Sequence, residues 1–170
     1  MGETIETMDR ADGTAAGREG KYLTFSLAGE EYGIGILKVK EIIGMMAVTA
    51  IPQTPGYVKG VINLRGKVIP VIDLRLKFAL ESEPYTERTC IIVVDVRTGN
   101  KVMQMGIIVD AVSEVLNIRA GEIEEVPTFG SRLDTDYILG MAKIGAGVKI
   151  LLDIDRVLSE EEVHLLEESV

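Results

Sequence analysis

Short aliphatic runs broken by glycine-containing turns make up most of the chain after residue 20. Tyr22–Leu27 alternates apolar and polar positions with a period near two, which is typical of a half-buried strand. Gly29-Glu30-Glu31 supplies a turn, so the run that follows completes a predicted hairpin. The same pattern predicts strands over 32–36, 48–51, 57–64, 67–72, 90–96, 102–109, 137–144 and 148–154. We therefore expect an all-β fold with short helices between some strands.

One block of sequence occurs twice. Tyr57–Arg75 reads YVKGVINLRGKVIPVIDLR, and Tyr137–Arg156 reads YILGMAKIGAGVKILLDIDR. Upstream of these blocks, Val39-Lys-Glu-Ile42 is echoed by Val112-Ser-Glu-Val115. A repeated strand pair indicates duplication, so we expect two similar halves, about 22–80 and 89–158. A duplicated β-unit without obvious catalytic residues indicates a platform for partners.

Helices are predicted at four places. Residues 37–42 suit a short helix that ends at Gly44, 110–115 form its counterpart in the second half, and 73–80 suit a third. The last helix, 159–170, has Ser159 as N-cap and Glu162 three residues later, which forms a capping box, and its apolar face should pack back on the strands. Residues 1–19 are polar and lack periodicity, so they are expected to form a disordered tail.

The charge and composition exclude several functions. A net charge of −9 with only 5% aromatic residues disfavours binding to nucleic acids and to anionic membranes. No apolar run is long enough to span a bilayer, so a soluble globular protein is expected. A lone cysteine excludes an internal disulfide and fits a reducing cytoplasm, and no signal-peptide pattern opens the chain.

Residues for catalysis or metal binding are scarce. His164, the single histidine, lies on a polar helix face, and Cys90 opens a strand, where a small buried side chain is the usual interpretation. Neither has the partners that a catalytic triad or a histidine metal site requires. Gly33-Ile-Gly35 begins like a dinucleotide-binding fingerprint, but Lys38 stands where the third glycine belongs. The sequence therefore predicts no enzyme, no metal and no cofactor.

Several residues are better explained as contacts with partners. Arg65 stands with Gly66 at a predicted hairpin tip, where it either projects toward a partner or merely suits the turn. Phe129 is a bulky aromatic in a polar loop and either folds inward or anchors an interface. The run from Val39 to Ile42 is either core or an interaction face, and the pattern leaves these alternatives open.

Several motifs, in order and at matching spacing, resemble the CheW family of chemotaxis coupling proteins. The resemblance covers nearly the whole chain from about Tyr22 and includes no kinase, phospho-accepting or receiver sequence, so it is closest to the stand-alone form of the family. It is carried by Glu30-Glu31-Tyr32-Gly33-Ile34, Ile36-Leu37-Lys38-Val39-Lys40-Glu41-Ile42, Gly60-Val61-Ile62-Asn63-Leu64-Arg65-Gly66, Val68-Ile69-Pro70-Val71-Ile72-Asp73-Leu74-Arg75, Gly106-Ile107-Ile108-Val109-Asp110 and Ile150-Leu151-Leu152.

The resemblance implies two intertwined SH3-like five-stranded β-barrels with strands exchanged between the halves. It also implies a non-catalytic cytoplasmic adaptor, recruited to membrane-associated receptor arrays. Such an adaptor joins the regulatory domain of the histidine kinase CheA to the cytoplasmic hairpin tip of chemoreceptors.

The resemblance also implies roles for individual residues. The residues implied at or beside a receptor-binding groove are Asn63, Arg65, Gly66, Gly106 and Val112. The residues implied in kinase contact are Val39, Glu41, Ile42 and Phe129. The main alternative is a small-molecule-binding β-barrel, which would need polar groups converging inside a cavity, whereas the inward strand positions are valine, isoleucine and leucine.

Overall fold

The computed structural model describes residues 18–126 and 136–169. These residues form eleven strands: β1 (Gly20–Leu27), β2 (Glu30–Gly35), β3 (Val39–Gly44), β4 (Val58–Leu64), β5 (Lys67–Asp73), β6 (Cys90–Thr98), β7 (Lys101–Val109), β8 (Ala111–Ile118), β9 (Ile123–Glu124), β10 (Ile138–Ile144) and β11 (Gly147–Leu152). The helices are α1 (Leu74–Lys77), α2 (Ile154–Val157) and α3 (Glu160–Ser169), with single 3-10 turns at Ile36–Lys38 and Ala120–Glu122. Within these ranges no helix is long and apolar enough to cross a membrane.

The strands form two sheets with the same internal order. The first sheet runs β3-β6-β7-β5-β4, and the second runs β8-β1-β2-β11-β10-β9. One order becomes the other when each strand is matched with its counterpart: β3 with β8, β6 with β1, β7 with β2, β5 with β11 and β4 with β10. In both sheets one pair is parallel, β5 with β7 and β2 with β11, and the other pairs are antiparallel. The predicted duplication is therefore present in the topology.

Each half contributes its first hairpin to the sheet of the other half. The β1–β2 hairpin lies beside β8 and β11, and the β6–β7 hairpin lies between β3 and β5. Neither sheet is complete without strands from both halves. The predicted exchange of strands is confirmed, and the exchanged elements are these two hairpins.

The tyrosine and the aspartate that occur in both repeats make the same contacts in each half. The Asp73 amide donates to the Tyr57 carbonyl, and the Asp153 amide donates to the Tyr137 carbonyl, both at 2.8 Å. The Asp73 carboxylate caps α1 by accepting from the amides of the first turn, and Asp153 caps α2 in the same way. The repeated aspartates are therefore helix caps.

The repeated glycines allow the chain to close each sheet. A Cβ on Gly60 would lie 2.6 Å from the carbonyl carbon of Thr49, and one on Gly140 would lie 3.0 Å from the carbonyl oxygen of Glu124. Thr49 follows β3 and exchanges two backbone hydrogen bonds of 2.9 Å with Val61 of β4. Since β3 and β4 are the two edges of the first sheet, the pairing of Thr49 with Val61 joins these edges and closes the sheet into a barrel. The β9–β10 pairing closes the second sheet in the same way.

The largest core cluster draws side chains from both sheets and from α3. Its members include Phe25, Leu27, Ile34, Ile72, Ile92, Val94, Ile107, Val163 and Leu166, all nearly inaccessible to solvent. A row of stacked rings extends from this cluster, with successive centroid separations of 6.0, 5.9 and 5.0 Å along Phe25, Tyr32, Phe78 and Tyr137. Shared apolar burial on this scale holds the two barrels together.

Three local predictions are wrong. Residues 37–42 and 110–115 are not helices, because β3 and β8 occupy most of each segment. Within β3 the half-buried Val39, Glu41 and Ile43 alternate with exposed residues, so the period is two, and β-branched side chains favour the strand. The strand predicted over 48–51 is reduced to the single bridge from Thr49 to Val61.

The C-terminal helix is confirmed in its position and in its cap. The Ser159 amide donates to the Glu162 carboxylate at 2.8 Å, and the Glu162 amide donates to the Ser159 hydroxyl at 3.1 Å. These are the reciprocal bonds of a capping box. Val163 and Leu166 are buried, so the helix packs on the first barrel as the apolar spacing predicts. Of the predicted tail, residues 1–19, residues 1–17 lie outside the described residues, as does Val170. Arg18 and Glu19 are described and hydrogen-bond to the second half, Arg18 to the Leu139 carbonyl and Glu19 to the Ala120 amide.

Candidate interaction surface

A two-residue turn holds Arg65 at the tip of the β4–β5 hairpin. Arg65 and Gly66 have φ values of 54° and 86°, which are the backbone conformations of a type I′ turn. The Asn63 side-chain oxygen accepts from the Gly66 amide at 2.8 Å and fixes the approach to the turn. The Arg65 side chain is 70% exposed. The hairpin therefore presents a cation on a backbone of defined geometry.

Arg65 forms an ion pair with Glu41 of β3. Both guanidinium amino groups donate to the carboxylate, Nη1 at 3.4 Å to Oε2 and Nη2 through a shorter contact to Oε1. The hydrogen bond to Glu41 and its negative charge raise the pKa of Arg65 further above its ordinary value. Barrel closure brings these residues together, because β3 and the β4–β5 hairpin lie at opposite edges of the open sheet. A residue predicted for receptor contact therefore touches one predicted for kinase contact.

The outward face of β3 contains an exposed aliphatic residue beside this ion pair. Ile42 is 44% exposed, whereas Val39 is half-buried against the core. Lys40 points outward and pairs with Asp95 of β6 at 3.1 Å. Of the two alternatives left open by the sequence, the exposed surface is correct for Ile42, and a partly buried position is correct for Val39.

The other predicted receptor residues lie elsewhere in the fold. Gly106 is buried in β7, where a Cβ would lie 2.8 Å from Ile91 Cγ2 and 3.2 Å from Val71 Cγ2, so its small size permits the parallel pairing of β5 and β7. Val112 belongs to β8 in the second sheet and is half-buried against the core. Phe129 lies outside the described residues.

The sequence analysis missed a polar contact between elements of the two halves. Arg75, just after β5, donates to both oxygens of Asp110, through Nε and Nη2 at 2.7 Å each. Burial alone would raise the pKa of Asp110, but the hydrogen bonds from Arg75 and from the Ala28 amide lower it below its ordinary value. Arg75 and Asp110 are each the last residue of a motif that carries the family resemblance. They come into contact only because the first hairpins are exchanged between the halves.

The described residues contain no group that could hold a metal ion. No cluster of three histidine, cysteine or acidic side chains occurs in ranges 18–126 and 136–169. In the same ranges every buried side-chain nitrogen or oxygen has a hydrogen-bond partner. The buried polar side chains, Thr24, Asp73 and Thr89, bond to neighbouring backbone and hold strands and turns.

Comparisons with known proteins identify relatives of nearly the same length. A family model for the CheW-like domain matches residues 21–162. The chain is 44% identical over 163 residues to the chemotaxis protein CheW of Klebsiella aerogenes, which covers 96% of this chain and 95% of that protein. It is 36% identical over 142 residues to the chemotaxis protein CheW of Bacillus subtilis, with coverages of 83% and 88%.

A solved structure agrees with the sequence relatives. The crystal structure of the scaffolding protein TtCheW from Thermoanaerobacter tengcongensis matches with a TM-score of 0.73 and 35% identity, over 85% of this chain and 95% of that chain. The predicted SH3-like β-barrel fold is confirmed by this match.

The class of this protein follows from its two duplicated barrels, from the exposed Arg65 at the β4–β5 turn and from these relatives. It is the class of non-catalytic adaptors of bacterial chemotaxis. The chain belongs to the CheW family.

Proposed function

We propose that this protein couples chemoreceptors to the histidine kinase CheA in the cytoplasm, within receptor arrays. One surface would bind the cytoplasmic hairpin tip of a receptor, and another would bind the CheA regulatory domain. The observation that carries the proposal is the Arg65–Glu41 ion pair, because it joins the hairpin tip to β3 in one rigid surface. Family membership as a chemotaxis coupling protein supports the choice of partners.

The receptor contact is proposed to depend on Arg65. The type I′ turn fixes the backbone, so little conformational entropy is lost when the guanidinium binds a carboxylate or carbonyl. Asn63 and Gly66 support the turn, and Gly106 supports the sheet behind it. Val112 completes the proposed set from the second barrel.

The kinase contact is proposed for β3, with Ile42 as its apolar anchor. Ile42 provides exposed apolar area on one face of β3, and Glu41, on the other face, holds Arg65 of the hairpin tip, an arrangement that suits a small protein interface. Val39 supports this strand from the core side. Phe129 is proposed as a second kinase contact.

The experiment separates the two contacts by titration calorimetry of full-length variants. Arg65→Ala is expected to weaken binding of a receptor cytoplasmic fragment by roughly ten- to a hundredfold, the loss of one charge-assisted hydrogen bond. Ile42→Ser is expected to weaken binding of the CheA regulatory domain by roughly tenfold. Ile42→Ser should leave the receptor titration nearly unchanged, and Arg65→Ala should weaken the kinase titration less than the receptor titration, because it also releases Glu41.

Matched surface variants serve as controls. Arg119→Ala removes another exposed arginine, and Val148→Ser removes an exposed aliphatic residue from the second barrel. Folded Arg65→Ala and Ile42→Ser proteins with wild-type affinities for both partners would contradict the proposal.

A further inference from the structure

We propose that a separate exposed surface binds an acidic segment of a partner protein that carries aliphatic side chains. This surface, here called the basic apolar patch, consists of Leu37, Val68, Val102, Lys67, Arg97 and Lys101. None of these residues belongs to the sets proposed above for kinase or receptor contact. The inference therefore goes beyond the proposed function and does not depend on it.

The apolar part of the patch is unusually exposed. Leu37 is 86% exposed, Val102 55% and Val68 46%. Leu37 and Val102 line one surface cavity of about 240 Å³, and Val68 and Val102 line another of about 300 Å³. Val102 therefore connects the two cavities. Single exposed aliphatic residues are common on soluble proteins, but three in adjoining cavities indicate a contact surface.

The groove beneath Val68 and Val102 exists because two strands diverge. The parallel pairing of β5 with β7 begins at Val71 and Gly106, so residues 67–70 and 101–105 face each other without pairing. Pro70 has no N–H and is tolerated at such an unpaired strand edge. The unpaired segments leave a groove in which the side chains of a partner can lie against Val68 and Val102.

The charge of the patch selects an acidic partner. In the part of the chain that the structure describes, Lys67, Arg97 and Lys101 form no ion pair. Glu167 lines one cavity with Lys67, and Asp95 lines the other with Arg97. Neighbouring aspartates already have partners, in the pairs Lys38–Asp155 at 2.6 Å and Lys40–Asp95 at 3.1 Å. On a chain of net charge −9, this local excess of cations attracts an acidic segment and orients it.

The test uses full-length protein and a fluorescein-labelled peptide of about ten residues in which pairs of leucines alternate with pairs of glutamates, so that an extended chain presents both residue types on each face. Two matched peptides replace every glutamate by lysine or every leucine by serine. Fluorescence anisotropy is expected to detect binding of the glutamate–leucine peptide only. Leu37→Ser with Val102→Ser, and separately Arg97→Glu with Lys101→Glu, should each weaken binding by roughly tenfold or more.

Controls distinguish the patch from other exposed positions. Val148→Ser changes the valine that corresponds to Val68 in the second repeat, and Lys21→Glu reverses an exposed charge on β1; both should bind the peptide like the wild type. The altered residues are exposed, so circular dichroism should show an unchanged fold, and if one double variant unfolds, the other decides the test.

Several outcomes would overturn the proposal. These are no binding of the glutamate–leucine peptide, equal binding of the serine-substituted peptide, or equal loss of binding in the Val148→Ser control. Tighter binding to phosphatidylglycerol vesicles than to the peptide would overturn it as well, because it would indicate a membrane surface as the ligand.

Discussion

Arg65 and Gly60 show how single residues fix the candidate surface. Arg65 adopts a positive φ that is uncommon for a side-chain-bearing residue, and its guanidinium contacts Glu41 across the closed barrel. Gly60 has a φ of 140° and lies against the backbone of Thr49. The turn fixes the position of the Arg65 guanidinium, and Gly60 leaves room for the backbone of Thr49, whose pairing with β4 closes the barrel.

Gly60→Ala is predicted to destabilise the protein by about 3 kcal/mol or more, because a Cβ would enter the backbone of Thr49 at an unfavourable φ. Urea unfolding followed by circular dichroism measures the change. Gly35→Ala is the control, since a Cβ there meets nothing within 4 Å. Equal stability of both variants would show that the Thr49 crossing is not needed for closure.

At the scale of elements, one carboxylate of α3 makes polar contacts that add to the apolar packing of the helix. Glu162 accepts from Lys77 at 2.7 Å and from the Ser159 amide at 2.8 Å, and it also contacts the Tyr57 hydroxyl. Burial alone would raise its pKa, but these hydrogen bonds and the charge of Lys77 lower the pKa to about 2. The carboxylate therefore connects the helix cap to the first barrel.

Glu162 should contribute stability that depends on pH. Because its folded pKa lies below its ordinary value of 4.5, its contribution is complete above about pH 4.5 and is lost as pH falls toward about 2. The stability difference between wild type and Glu162→Gln should therefore shrink over this range in unfolding experiments. Glu161→Gln, an exposed neighbour, is the control. A difference that stays constant from pH 6 to pH 2 would contradict the assigned contacts.

Elements that are determined by residues close together in the sequence can be predicted from it, whereas contacts between residues far apart in the sequence cannot. The hairpin at Arg65-Gly66 and the capped helix α3 were predictable, because local turn and capping preferences determine them. The helix predicted over residues 37–42 is wrong, because the outward Ile42 of β3 interrupts the simple apolar alternation of a strand. The Arg65–Glu41 contact was not predictable, since it forms only when distant strands close the barrel.

At the scale of the whole molecule, the exchanged hairpins make the two halves interdependent. The first sheet has β6 and β7 at its centre, and the second has β1 and β2. The topological exchange was implied by family resemblance, whereas the repeat alone indicated only duplication. The closed pair of barrels gives the proposed contacts a rigid common frame.

Separate fragments 1–83 and 84–170 are predicted to be unfolded alone and to fold when mixed. Each fragment lacks the hairpin at the centre of its own sheet, so β3 has no partner in the first fragment and β8 has none in the second. Circular dichroism and amide hydrogen exchange of each fragment and of the mixture measure this. A cooperative thermal transition in either fragment alone would show that the halves are independent domains.

The most direct measurement of the central claim is CheA autophosphorylation with receptor fragment present, in the presence and absence of this protein. The account predicts strong activation only when all three components are mixed. It further predicts that Arg65→Ala and Ile42→Ser each reduce activation, whereas Arg119→Ala and Val148→Ser do not. Equal kinase activity with and without the protein would contradict its role as a coupling adaptor.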